Sequence, residues 1–122
     1  DVAKALTHPQ AMTIPAHILD GVTRRKISVG PVFFIDEPTS QLYIRYTQRK
    51  KNIEFLDSTE IKQAIAILDD LLNTQSDYHF IHTMDANQGM LCNNVLHKRS
   101  TFTDNAQQPR LLLRGRYFSR IN

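Results

Sequence analysis

The 122-residue chain contains a single cysteine, Cys92, which excludes an internal disulfide framework and a cysteine-based zinc site. Glycine occurs only four times, so there is no glycine-rich phosphate loop, and no Gly-x-Ser-x-Gly elbow is present. Apolar runs such as Leu111-Leu112-Leu113 are short, against the roughly 18 or more residues of a membrane span. Internal repeats and low-complexity segments are also lacking. No basic-then-apolar leader opens the sequence, so a cytoplasmic location without membrane association is expected.

What is present is an ordinary globular mixture, 41% hydrophobic and 22% charged. This argues against disorder, collagen and coiled coil, and the length suits one domain better than two. Fifteen Lys and Arg against twelve Asp and Glu leave a net charge of +3, too weak by itself to imply nucleic acid. Two basic runs, Arg24-Arg25-Lys26 and Arg45 with Arg49, Lys50 and Lys51, read as solvated loop charge and match no nucleic-acid-binding motif. The C-terminal set differs. Lys98, Arg99, Arg110, Arg114, Arg116 and Arg120 face one acid, Asp104, and the arginines alternate with apolar residues.

Residues 1–30 form a poorly defined leading segment: 1–7 reads as the end of a helix stopped by Pro9, and Pro15 and Gly21 break the rest into loop-like pieces. Residues 32–35 and 42–46 read as a hairpin joined by Asp36-Glu37-Pro38-Thr39-Ser40. Residues 58–73 predict a helix, with Asp57 and Glu60 as a capping-box-like start and Ile61, Ala64, Ile65, Leu68, Leu71 and Leu72 on one apolar face. After it, residues 78–82, 90–96 and 110–118 read as strands, with a turn at Asn87-Gln88-Gly89. Cys92 is expected as a buried packing residue, and Tyr43, Tyr46 and Tyr117 as core or interface aromatics. The fold class is a β-rich α+β unit over 1–122 with antiparallel strands and one covering helix.

In a strand over 110–118, Arg110, Leu112, Arg114, Arg116 and Phe118 share one face. Guanidiniums there either face solvent or meet an anion, because burying them unpaired is costly.

The run Gly89-Met90-Leu91-Cys92-Asn93-Asn94-Val95-Leu96-His97-Lys98-Arg99-Ser100-Thr101-Phe102-Thr103-Asp104, followed by Arg110 and Arg114, resembles the C-terminal signature of the taurine dioxygenase-like superfamily of iron(II)/2-oxoglutarate dioxygenases. The strand start at Gly30-Pro31-Val32-Phe33 and the helix ahead of His97 also look like the C-terminal half of that family. The resemblance implies part of a double-stranded β-helix, or jelly roll. It makes His97 the distal histidine of the iron(II) triad, Arg110 the grip on the far carboxylate of 2-oxoglutarate, and Arg114 a contact to the primary substrate's anionic group or to the co-substrate. It further implies an enzyme that oxidises a small organic substrate while 2-oxoglutarate is decarboxylated to succinate.

The sequence departs from the pattern at Lys98, where a small residue is usual, and at Asn93-Asn94, where Asp-Asn is usual. None of His8, His17, His79, His82 or His97 begins a His-x-Asp or His-x-Glu motif, the family's source of the other two ligands. The expectation is therefore the C-terminal part of a larger catalytic domain, incomplete and inactive alone. The alternative is a non-catalytic β-domain that binds an anionic ligand or partner through its arginine face. Substrate identity and oligomeric state have no signature in the sequence.

Overall fold

The apolar spacing of residues 58–73 demands a helix with one covered face. A computed structural model, which describes residues 2–49, 51–107 and 109–117, forms that helix at Thr59–Asn73. Ahead of it stand a short helix, Val2–Leu6 (α1), and strands Met12–Ile14 (β1), His17–Leu19 (β2), Val22–Arg25 (β3), Ser28–Gly30 (β4), Phe33–Asp36 (β5), Gln41–Ile44 (β6) and Glu54–Phe55 (β7); Thr59–Asn73 is α2. The strands pair antiparallel into a three-stranded sheet, β4-β1-β7, and two hairpins, β2–β3 and β5–β6. The described chain is thus α+β and strand-rich, with the covering helix α2 and the short α1 inside the stretch 1–7 that reads as the end of a helix.

Ser58, and not Asp57, caps α2. Its backbone is extended and its hydroxyl accepts from the Ile61 amide at 3.2 Å, satisfying one of the orphan donors of the first turn. Asp57 pairs instead with Lys62 on the surface, where an ion pair contributes little. Along α2, Ile61, Ala64 and Leu68 are buried and Ile65 and Leu72 pack beside them. Leu71, expected on the same face, is exposed. At about 100° per residue it lies roughly 80° round from Ile61, beyond the edge of the covered stripe. The core closes with Leu6, Ala11, Met12 and Val32, so α1, α2 and the three-stranded sheet share one apolar interior.

The hairpin expected over 32–46 forms, with Phe33 opposite Ile44 and Asp36 opposite Gln41. Its turn is fixed by the Thr39 hydroxyl donating to Asp36 Oδ2 at 2.6 Å, and Phe34 and Tyr43 meet at 5.6 Å between ring centroids. The leading segment is more ordered than its loop-like reading. Asp20 and Gly21 both have positive φ, 53° and 73°, as a tight hairpin turn of the Asp-Gly type requires, and they join β2 to β3. Ile18, Leu19 and Val22 on that hairpin are exposed, so no buried pattern flagged it.

Arg45 is not solvated loop charge. Its backbone amide donates to the Val32 carbonyl at 2.7 Å. Its guanidinium donates to the carbonyls of Met12 at 3.0 Å, Gly30 at 3.2 Å and Ser28 at 2.7 Å, and to Ser28 Oγ at 3.1 Å. Met12 and Gly30 are themselves partners across β1 and β4, so the fork staples the β5–β6 hairpin onto two strands of the other sheet. Burial pulls the Arg45 pKa below its ordinary value, but a guanidinium remains charged throughout the physiological range. Next along the chain, the Tyr46 hydroxyl donates to Asp69 Oδ1 on α2, and Gln48 Nε2 donates to the same oxygen at 3.0 Å. Burial first, and then Asp69, push the Tyr46 hydroxyl well above its ordinary pKa.

After α2, strands do not form over 78–82, 90–96 or 110–117; Phe118 lies outside the described residues. The side chains of Tyr78, Phe80, Ile81, Leu111 and Leu113 are 81–97% exposed. Alternation decides which face a strand would bury, whereas a strand itself requires a neighbour for its amides and carbonyls. None of these segments finds such a neighbour among the described residues.

Arg45→Met is expected to lower stability by about 2–3 kcal/mol, the worth of hydrogen bonds from a charged donor. Arg45→Lys should recover only part of this, because an ammonium lacks the fork. Urea unfolding reads both, and an unchanged midpoint in Arg45→Met would remove the staple. The raised Tyr46 pKa makes a second prediction. Below about pH 10 the hydroxyl is protonated in folded and unfolded chains alike. Above it the unfolded chain ionises first, so stability falls with rising pH. Tyr46→Phe should flatten that alkaline decline in thermal melts, and an equally steep decline in the variant would exclude Tyr46 as its source.

Candidate functional site

The Asn94 side chain ties the segment that carries His97 to the hairpin. The Asn94 amide, oriented so that both of its ends are satisfied, donates to the Ile44 carbonyl at 2.9 Å and accepts from the Ile44 amide at 3.1 Å. A side-chain amide thus occupies the place of a neighbouring strand beside β6. Asn94 has φ 56°, a left-handed conformation that asparagine tolerates better than most residues. The sequence offers Asn94 as the asparagine of the quoted run without a role, and the signal for this one is that tolerance.

Three residues on, His97 is exposed, as are Arg110 and Arg114. His97 Nδ1 lies 3.0 Å from the Val95 carbonyl. A carbonyl only accepts, so this contact puts the proton on Nδ1 and leaves Nε2 with its lone pair. Backbone orientation of a histidine through its other nitrogen is the arrangement that metal-ligating imidazoles use. Cys92 is exposed, contrary to its expected burial. Its thiol donates to the Val95 carbonyl and accepts from the Val95 amide, both at 3.4 Å, and stands 4.0 Å from His97 Nδ1. A local turn around Cys92 to Val95, in place of a strand, explains the loss of burial.

Beyond His97, Lys98 Nζ reaches Asn73 Oδ1 at the end of α2, at 3.5 Å. Arg99 and Arg110 both lie over the Phe102 ring, with Cζ 4.3 Å and 3.3 Å from its centroid. Phe102 belonged to the quoted signature without a role, and an aromatic between two arginines is the signal that would have found one. His97, Arg99, Arg110 and Arg114 border one open cavity of about 3020 Å³. Small-molecule pockets are about 300–1,000 Å³, so this volume is a wide basin and not a formed pocket. No direct contact joins His97 to Arg110 or Arg114 among the described residues.

The imidazole fits one ligand of an iron(II) site, but the rest of a ligand set is not supplied here. Among the described residues no group of three or more His, Cys, Asp and Glu side chains converges. His79 accepts from the Ser76 amide at 3.1 Å, and His82 lies 3.3 Å from Gln88 Oε1, so neither pairs with a carboxylate. No reaction step is therefore derived through a metal.

Asn94→Ala should accelerate exchange of the Ile44 amide proton about tenfold, in line with the loss of roughly 1 kcal/mol of hydrogen bonding. Native-state hydrogen exchange at Ile44 measures it, and an unaltered rate would show that the His97 segment is not held there. No family model matches the chain, and neither a curated protein nor a solved structure is significantly similar to it.

Proposed function

We propose that the chain is part of a non-haem iron(II), 2-oxoglutarate-dependent oxygenase domain with a double-stranded β-helix, acting on a small organic substrate in the cytoplasm. The observation that carries this reading is the 3.0 Å contact of His97 Nδ1 with the Val95 carbonyl, which in a neutral imidazole leaves Nε2 as the ligating nitrogen at the position where the resemblance puts a metal ligand. Iron(II), when bound, supplies open coordination positions for 2-oxoglutarate and oxygen. The remaining two ligands would come from a His-x-Asp or His-x-Glu motif, which these 122 residues do not contain. Arg110 is proposed to hold the far carboxylate of 2-oxoglutarate through its planar fork, and Arg114, four residues on, an anionic group of the substrate.

A second reading needs no metal: the same arginines bind an anionic ligand or partner. It is favoured by Arg99 and Arg110 lying on Phe102 without a carboxylate partner among the described residues.

Iron content and 2-oxoglutarate decarboxylation of the complete native protein separate the two. The oxygenase reading expects near-stoichiometric iron, loss of iron-dependent turnover in His97→Ala, and a sharply raised 2-oxoglutarate requirement in Arg110→Ala. Unchanged decarboxylation in both variants would sink it, and binding of anions without any iron dependence would establish the second reading.

A further inference from the structure

Phe102 gathers two cations onto one ring. Arg110 Cζ is 3.3 Å and Arg99 Cζ 4.3 Å from its centroid, both inside the ~6 Å range of a cation–π contact. Two guanidiniums held so near a common point repel each other, and the ring's quadrupole offsets that only in part. Among the described residues no acid completes the balance. Asp104, the closest acid in sequence, makes no ion pair with either arginine, and the ion pair among the described residues is Lys62 with Asp57 on α2. The two positive charges gathered at Phe102 have no carboxylate partner among the described residues, and a doubly charged anion matches them.

The donors are also available. A guanidinium stacked on an aromatic face keeps the N–H groups of its rim free for carboxylate oxygens. No hydrogen bond from the Arg99 or Arg110 side chain to another described residue competes for those donors. Arg99 lies just after His97, whereas Arg110 lies beyond the polar loop 103–109. The ring therefore brings the two ends of that loop together and faces both forks onto the open basin.

We infer that Arg99, Phe102 and Arg110 form a clamp for a dicarboxylate, in which Arg99 is a second binding guanidinium and Phe102 a positioning residue for both forks. The identity of the dicarboxylate as 2-oxoglutarate rests on the oxygenase reading, and the clamp itself does not. A ring that orients both cations lowers the entropy lost when the anion is bound, since each long side chain is already confined.

Titration calorimetry of the complete protein in metal-free, low-salt buffer tests this, with 2-oxoglutarate and sulfate as probes. Arg99→Gln and Arg110→Gln should each weaken 2-oxoglutarate binding about tenfold or more, as expected for loss of a charge-assisted contact. Phe102→Leu should weaken it as well, while Phe102→Tyr, which keeps the aromatic face, restores it. All three residues are exposed, and circular dichroism of the variants verifies the fold. Native affinity in Arg99→Gln alongside a loss in Arg110→Gln would overturn the clamp and leave the oxygenase reading standing. Equal affinity for sulfate and 2-oxoglutarate would overturn the dicarboxylate clamp, because the two arginines would then take any doubly charged anion. No binding of either probe would overturn the clamp, with iron-dependent decarboxylation still deciding the enzyme.

Discussion

The Arg45 guanidinium is the interaction on which the arrangement of this chain depends. The β5–β6 hairpin shares no strand ladder with the β4-β1-β7 sheet, and the fork that binds the Met12, Gly30 and Ser28 carbonyls links them. Its neighbours extend the same role in two other directions. Ile44, one residue before, receives the Asn94 amide and with it the His97 segment. Tyr46, one residue after, reaches Asp69 on α2. Three consecutive residues thus connect the sheet, the covering helix and the candidate site, and displacing the hairpin would displace all three.

The legible parts of the fold are those whose determinants are local. The helix was readable because the repeat of Ile61, Ala64, Leu68 and Leu72 is a property of one segment, and the 32–46 hairpin because its turn residues sit between its own two strands. The cap moved by one residue, from Asp57 to Ser58, because both residue types cap well and only the backbone angles choose between them. Arg45 was misread for the opposite reason. A basic residue beside Arg49 and Lys51 looks solvated, and its carbonyl partners lie 15 to 33 residues away. The β2–β3 hairpin carried a clear Asp20-Gly21 turn signal, but its exposed apolar strands gave no buried face to support it.

For the candidate site, the sequence identified residue types and spacing, whereas the structure adds local orientation. His97 acquires a defined proton position from Val95, and Arg110 acquires a platform in Phe102. What spacing could not deliver is the strand geometry expected around them, because alternation in 90–96 and 110–118 states a preference whose fulfilment needs a partner elsewhere. Arg110, Arg114 and Arg116 consequently border one basin, with Arg110 on the Phe102 ring, and do not share the single strand face that their periodicity implied.

The staple also has a cost in chain entropy. The β2–β3 and β5–β6 hairpins each close over a few residues, and such closures take microseconds. The pairing of Met12 with Phe55 and the bond from Arg45 to Met12 join parts of the chain 43 and 33 residues apart. Their larger loop-closure entropy has to be met before any long-range contact stabilises the chain. The contacts of Arg45 therefore carry a larger closure cost than those within either hairpin.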